Sequence, residues 1–534
     1  MNKLVDEIKK YEEQSQLIEP GADRRHELLE KVNHYTEGFL ESVHASNAYI
    51  KEGLDGKEIR DSLIAEEGVD MDTILKLYKD NVEQQGINTV SGKNMGYIAP
   101  CSMFYSALGD YIAAITDPFS ADYMSSPGAV RMEKMLLDWM ARLVGYPSDS
   151  LGNLASGGSM ATLICIVTAR ETKGLKAKDF EKSVVYASKL THHCVRKGLH
   201  VAGMGECVIR YVDVDDGYSM KADALAECIE QDKQAGLRPW LVVASAGTTD
   251  LGNVDPFDAI ADVTDKYDVW FHIDGAYGGF FILSDLVKDK FKGVERSDSI
   301  VMNPHKALYT PFGLGAAIIK NGRQLYDAHH YTASYLQDNY FEQDEVSPSN
   351  LGPELTRHFR ALRLWLPLKL IGIAPFRAAL SEKILLTRYA YERMRDQAGF
   401  EMGPYPELST FAFRYLPEKG DADDLDICCG VARDGVACDK DQCYRDNTEA
   451  WYMYDIGTLV GNGKEEDDEA GRINDGQVLT MQVDLDADTL KFWVDGKPHG
   501  PGWTSGVTGR LRWATSVFYK GNTVQIVPTP LELQ

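Results

Sequence analysis

Ser299-Ile300-Val301-Met302-Asn303-Pro304-His305-Lys306-Ala307-Leu308 is the stretch on which the reading of the fold turns. Ile300 to Met302 form a short apolar run with the character of a strand end. Asn303-Pro304 stops it, and His305 and Lys306 follow at once. A lysine on the lip of a buried strand is expensive to leave charged and unpaired, because desolvation disfavours the ammonium form. Such a lysine either snorkels to solvent or is made nucleophilic by its surroundings and condenses with a carbonyl group. What the rest of the chain aims at Lys306 decides between the two.

Working outward, short apolar runs alternate with helical patterns from about Ser91 to Phe376. Ser183 to Ala187, Val208 to Val212, Trp240 to Ser245, Val269 to Ile273, Ser299 to Met302 and Ala316 to Ile319 read as strands. Lys221 to Gln234 and Phe257 to Lys266 read as helices, the second opened by Asp255-Pro256 as an N-cap and first-turn pair. This alternation indicates an α/β fold with a largely parallel sheet covered on both faces. Ligands in such sheets lie at the carboxyl ends of strands, where Lys306 falls.

The flanks differ. Up to about Gln85 the pattern is helical, amphipathic and charged outside, with too little apolar surface for a core of its own; it fits an arm wrapped on another subunit or on the main domain. After Leu355 the pattern is helical again. From Pro417 the chain holds 22 Asp and Glu against 11 Lys and Arg, and its apolar residues alternate with period two, as in Leu479 to Asp484 and Leu490 to Val494 before Asp495-Gly496. That reads as a separate β-rich module with a hairpin.

A net charge of −25 argues against nucleic acid and anionic membrane surfaces as partners. The charged start and the lack of a long apolar run argue against a secretory signal or a membrane span. Nine scattered cysteines fit a reducing, cytoplasmic setting. The late group Cys428, Cys429, Cys438 and Cys443 lacks zinc-site spacing and reads as ordinary thiols.

Four constellations fall at strand ends. Leu154 to Thr162 is a small-residue turn entering a helix, with Gly158 and Ser159 at the point where free N–H groups donate to a phosphate. Ser188 to His193 places His192 just past a strand, and His272 to Gly279 ends a strand with Asp274 among small residues. The fourth is His305-Lys306. Phosphate cradle, ring that stacks, carboxylate and lysine together are the parts that pyridoxal 5′-phosphate (PLP) requires.

Ser-Gly-Gly-Ser-x-Ala, Thr-His, Gly-Thr-Thr, His-Ile-Asp-x-Ala-Tyr and Asn-Pro-His-Lys, in this order, strongly resemble the group II PLP-dependent decarboxylases, and within them the aromatic L-amino-acid decarboxylase branch. The resemblance spans roughly Ser91 to Pro417. It implies the aspartate aminotransferase-type fold (fold type I) with a mostly parallel seven-stranded sheet, and a homodimer with the active site at the interface. It implies Lys306 as Schiff-base lysine, Asp274 as partner of the pyridinium nitrogen and His192 on the ring face. Gly158, Ser159 and His305 would contact the phosphate, Thr248 the 3′ oxygen, and Ala276 would pack under the ring. Tyr335, in Thr332 to Leu336, would protonate the carbon left by CO₂, after an external aldimine and a quinonoid. Arg357 matches an arginine near the site, and Tyr97, Met103 and Phe104 are candidate pocket walls. The activity implied is decarboxylation of L-Trp, L-Phe or L-Tyr to arylalkylamines. Alternatives are decarboxylation of Glu, Asp or His, or an aromatic aldehyde synthase; the pairing of Tyr335 with His192 favours simple decarboxylation.

The domains expected are a helical dimerisation segment over 1–90, the PLP-binding α/β domain over 91–376, a partial small domain over 377–420 and an acidic β-rich module over 421–534. Two departures from the family stand out: Asn94 to Pro100 replaces its usual His-Pro-x-Phe-Phe, and its small-domain pattern begins at Pro406 but does not continue. Val478 to Val527 looks like the core of a SPRY-type β-sandwich, a module that binds protein partners. Asp484, Asp486 and Asp488 alternate as in calcium loops, so Ca²⁺ is a candidate ligand of the tail beside the plainer reading of a solvated turn.

Overall fold

The computed structural model describes residues 2–50, 57–96, 98, 102–331 and 346–415, and beyond these only strands lying between 427 and 517. The chain divides into two compact units, Met1–Glu392 with Gly403–Ala412, and Arg393–Met402 with Phe413–Gln534.

The first unit is built on a seven-stranded sheet. Its strands are β1 (Leu151–Ala155), β2 (Ser183–Ala187), β3 (Val208–Tyr211), β4 (Arg238–Ser245), β5 (Trp270–Gly275), β6 (Ser299–Met302) and β7 (Gly315–Ile319). Their spatial order is β1-β7-β6-β5-β4-β2-β3. The pairs from β6 through β3 are parallel, and β7 lies antiparallel to both β6 and β1. Consequently β1 runs with the parallel strands, and its carboxyl end joins theirs on one edge of the sheet.

Period-two alternation sends neighbouring side chains to opposite layers. Phe271, Ile273, Val242 and Ile300 join one apolar cluster, whereas Trp270, Leu241, Val243 and Val301 join the other. The first layer is roofed by α5 (Pro127–Leu143), which follows α4 (Phe104–Thr116), together with α8 (Ala222–Gln234) and α9 (Phe257–Tyr267), through Met140, Ile229 and Phe257. The second is roofed by α6 (Gly158–Thr172), α7 (Cys194–Val201) and α11 (Gly322–His329), through Ile164, Val195 and Leu325. A sheet buried on both faces explains why these strands are almost wholly apolar. Upstream, α1 (Asn2–Ser15), α2 (Ala22–Ser42) and α3 (Met71–Tyr78) hold no buried residue among α2 and α3, and Leu4, Ile8, Tyr11, Leu17 and Ile18 are exposed.

Two local expectations change. Leu154 and Ala155, expected in a small-residue turn, end strand β1, which pairs with β7. Asp255 does not cap α9, whose N-cap is Pro256. Its buried carboxylate instead accepts N–H bonds from Met220 and Ser245, both at 2.7 Å.

In the second unit, Phe400–Met402 pairs with Phe413–Tyr415. A five-stranded antiparallel sheet has the order Lys464–Glu466, Leu459–Gly461, Ala450–Tyr454, Ile427–Arg433 and Leu511–Val517. A three-stranded one joins Leu479–Asp484, Thr489–Val494 and Lys497–Pro498. Leu490, Phe492 and Val494 are buried in alternation, as the period-two pattern predicts. Among the described residues no single helix is long and apolar enough to cross a membrane; Leu362–Ile371 and Ala374–Arg395 pass that test only as a pair, bent by 96°.

Candidate active site

The carboxyl ends of β1, β2, β4, β5 and β6 converge on a cavity of about 440 Å³. Gly158, Ser159, His192, Thr248, Asp274, Ala276, His305 and Lys306 all line it. The fold therefore brings every cofactor-side candidate to one place.

Each side chain is held by its element. Lys306 stands in α10 (Pro304–Ala307), a single turn set by Pro304 at its start and by the Lys306 N–H bond to the Asn303 carbonyl at 3.0 Å. His305 places Nδ1 2.5 Å from the Leu314 carbonyl. A carbonyl only accepts, so the proton is on Nδ1. Burial pushes the pKa of His305 down, against that hydrogen bond. His192 follows β2, and its Nδ1 accepts the Cys194 N–H at 3.2 Å, leaving the proton of the neutral ring on Nε2. Burial, more than the nearby Asp274 carboxylate can offset, also lowers its pKa. Thr248 is fixed by a short loop, with its N–H on the Asn253 carbonyl at 2.9 Å and its Oγ1 accepting the Asn253 N–H at 3.2 Å.

Asp274 shares a strand face with Trp270 and His272. It is 7% exposed, and Oδ1 accepts the Ala276 N–H at 3.1 Å. Among the described residues no ion pair meets it. A buried carboxylate without a cation is unstable unless the site's ligand brings the positive charge. A protonated pyridine nitrogen is such a charge. At the other end, a Cβ on Gly158 would come within 2.7 Å of Asn303 Nδ2, so the cradle admits backbone and little else. Asn303 Oδ1 is buried without a partner. The free N–H groups at the start of α6 and the Ser159 hydroxyl supply the donors a phosphate needs, while the Nδ1 proton of His305 is already given to the Leu314 carbonyl. The residues present fit PLP at its nitrogen, its ring and its phosphate.

Residues not singled out from the sequence also line the cavity: Ser156, Cys194, Ser245, Tyr277, Asn303 and Phe312. Cys194 is the most consequential. Its thiol lies 3.7 Å from Asp274 Oδ2 and 3.7 Å from Thr162 Oγ1, and burial pushes its pKa up to about 12. Its place two residues after His192 was the available signal. The phenol of Tyr277 meets Ser409 Oγ at 2.7 Å and takes a bond from Thr410 Oγ1 at 3.0 Å, which ties the cavity wall to Gly403–Ala412.

Other candidates stand elsewhere. Arg357 does not line the cavity: its guanidinium is buried against Glu133 at 2.9 Å and the Leu154 carbonyl at 2.5 Å. Phe104 opens α4 at 51% exposure, outside the cavity lining. Met103 is its N-cap, half-buried, with its N–H on the Tyr309 carbonyl at 2.9 Å. Tyr97, Tyr335, Asp486 and Asp488 lie outside the described residues, as does the side chain of Asp484.

The pyridoxal-dependent decarboxylase conserved domain matches residues 55–416. The chain belongs to the pyridoxal-dependent decarboxylases. It is 30% identical over 380 residues to the aromatic-L-amino-acid decarboxylase of Bacillus atrophaeus, covering 70% of this chain and 79% of that one. It is 28% identical to the L-2,4-diaminobutyrate decarboxylase of Acinetobacter baumannii, over 74% and 84% of the two chains. Among solved structures, Oryza sativa TDC with PLP and tryptamine superimposes with a TM-score of 0.70 at 25% identity, over 74% of this chain and 84% of that one. As a pyridoxal-dependent decarboxylase, this chain is a PLP-dependent carboxy-lyase acting on an amino acid, with the family's α/β fold and extra C-terminal strands.

Proposed function

We propose that the protein decarboxylates L-aromatic amino acids (Trp, Phe, Tyr) to arylalkylamines and CO₂. One observation carries the choice of an uncharged side chain. Among the described lining residues the charged side chains are only Asp274 and Lys306, both assigned to the cofactor, while burial keeps His192 and His305 towards the neutral form. An acidic or cationic substrate would need a further opposite charge in a partly dehydrated cavity. Phe312, Met160 and Tyr277 offer apolar and aromatic wall instead. The similarity to an aromatic-L-amino-acid decarboxylase agrees with this reading.

PLP, when bound, supplies an electron sink for the pair left on the α-carbon as CO₂ departs. The chain's residues do the rest. Lys306 would hold the cofactor through its amine until a substrate amine takes its place. Asp274 accepts the pyridine N–H and keeps the ring cationic, which is worth most in a buried site. His192 and Ala276 would flank the cofactor's ring, and Gly158 and Ser159, with His305, would contact its phosphate. Tyr335 gives its hydroxyl proton to the α-carbon. Together with His192, it directs the reaction to amine rather than aldehyde. We place the active site in a homodimer, which would cover the exposed apolar residues of α1 and α4. The acidic β-rich tail serves as a SPRY-like partner-binding module outside the chemistry, and the buried free thiols Cys165, Cys194 and Cys207 suit a reducing cytoplasm.

The test is a product assay on Trp, Phe, Tyr, Glu, Asp, His and 2,4-diaminobutyrate. Amine and CO₂ from an aromatic substrate, without peroxide or ammonia, is expected. Preference for a charged substrate, or aldehyde with ammonia and peroxide, would overturn the reading. Borohydride treatment should fix the cofactor to Lys306 in a peptide map, and the Lys306→Ala protein should not retain it covalently.

A further inference from the structure

His192, Cys194 and Asp274 offer one imidazole nitrogen, one thiol sulfur and one carboxylate oxygen, all within 4.8 Å of one another, and all three line the cavity. The decarboxylase reading uses His192 and Asp274 and leaves Cys194 without a role. These three donor types are the ones zinc sites use. The sulfur–oxygen spacing also fits. Zn–S of about 2.3 Å and Zn–O of about 2.1 Å at a tetrahedral angle put sulfur and oxygen about 3.6 Å apart, and Cys194 Sγ lies 3.7 Å from Asp274 Oδ2. The scaffold is firm: Asp274 Oδ1 is fixed by the Ala276 N–H, and Cys194 begins α7 directly after the His192 turn. A thiolate and a carboxylate together cancel a divalent charge, so the loaded cluster would be neutral apart from Lys306, which limits the penalty of burying it.

We propose that, when the cofactor is absent, His192, Cys194 and Asp274 bind one thiophilic divalent cation of the Zn²⁺ or Cd²⁺ type, with a fourth position open to the cavity. Binding breaks the Cys194 S–H bond and releases His192 Nδ1 from the Cys194 N–H, so that sulfur, Nδ1 and the carboxylate oxygen each form a bond to the metal; the thiol proton leaves to solvent and no electron is transferred. The thiolate selects Zn²⁺ or Cd²⁺ over Mg²⁺ or Ca²⁺. The cation takes the carboxylate and imidazole assigned to PLP, so metal and cofactor exclude one another. That exclusion rests on the cofactor reading above; the metal site does not.

The experiment titrates Cd²⁺ into full-length protein stripped of PLP, following the ultraviolet charge-transfer band of a cadmium–thiolate bond. One Cd²⁺ per chain is expected, displaced by Zn²⁺ and not by Mg²⁺. Cys194→Ser, checked for folding by far-ultraviolet circular dichroism, should lose the band and bind at least ten-fold more weakly. The PLP-loaded protein should give no band, and Cd²⁺ should slow the return of cofactor absorption when PLP is added to wild type, a readout that needs no variant. An undiminished band in folded Cys194→Ser would assign the metal to another cysteine and overturn the site. Equal Cd²⁺ binding by the PLP-loaded protein would overturn the exclusion. A wild-type protein that never gains cofactor absorption would sink the cofactor reading alone.

Discussion

Gly158 shows how little tolerance the cradle has at the scale of one residue. Its absent Cβ would sit 2.7 Å from Asn303 Nδ2 and 3.4 Å from the Ala276 Cβ, and both neighbours line the cavity. Gly158→Ala should therefore displace Asn303 and weaken PLP binding by about ten-fold or more, roughly 1.4 kcal/mol. Equilibrium dialysis or quenching of protein fluorescence by PLP would read it, and unchanged affinity would count against the cradle. Asp255 carries a different prediction. Burial lifts its pKa to about 6, against the two backbone N–H bonds it accepts. Its folded value lies above the unfolded one near 3.9, so the stability it contributes is complete below about pH 4 and is lost as pH rises through 6. Relative to Asp255→Asn, which does not titrate, wild type should gain up to about 3 kcal/mol in urea melts on going from pH 7 to pH 4. A constant difference between the two would show that Asp255 ionises normally.

At the scale of elements, the carboxyl end of β1 is tied down by charges on other segments. Arg357 Nη2 meets Glu133 of α5 and the Leu154 carbonyl, and Arg360 Nη1 reaches the same carbonyl at 3.2 Å while its guanidinium pairs with Glu354 at 2.8 Å. Leu154 is two residues before Ser156, so these contacts set where the cradle begins. Arg357→Ala leaves Glu133 buried and unpaired and should cost about 3–5 kcal/mol in denaturant melts. Adding Glu133→Gln should recover part of that loss, because the stranded charge is gone. A loss below about 1 kcal/mol would mean that water reaches Glu133 after all. The sequence motif around Arg357 marked it as belonging near the active site. Its actual work, bracing β1 from behind, needed the fold, because its partner lies 224 residues away.

At the scale of the whole molecule, two compact units imply more than one unfolding transition. PLP reduced onto Lys306 should raise the transition of the unit holding the cavity and leave the other in place, since a ligand stabilises only what it binds. Scanning calorimetry with and without borohydride-fixed cofactor would check this; a common shift of all transitions would show the units to be coupled. Much of the first unit was legible beforehand. β2, β4, β5, β6 and β7 are apolar runs because both faces of the sheet are covered, and burial leaves that pattern in any sequence. His192, Asp274 and Lys306 were legible because each follows or ends such a strand, and Gly158 because it stands in a small-residue turn entering a helix. β1 was not, since Gly152 and Asn153 interrupt it. Asn153 is tolerated there because its amide donates to the Pro348 carbonyl at 2.9 Å, and a Cβ on Gly152 would lie 2.6 Å from the Ala317 carbonyl.

The sequence by itself determined the class of fold and the chemistry of the reacting groups, because strand burial and motif order are written locally. Only the tertiary structure decided which groups meet. It turned Arg357 onto Glu133, sent Asp255 to two backbone N–H groups in place of a helix cap, and laid Cys194 against Asp274. Those pairings join residues between 10 and 224 positions apart. No local pattern encodes them, because the partner of a buried polar group is chosen by whatever donor or charge the folded chain brings within reach.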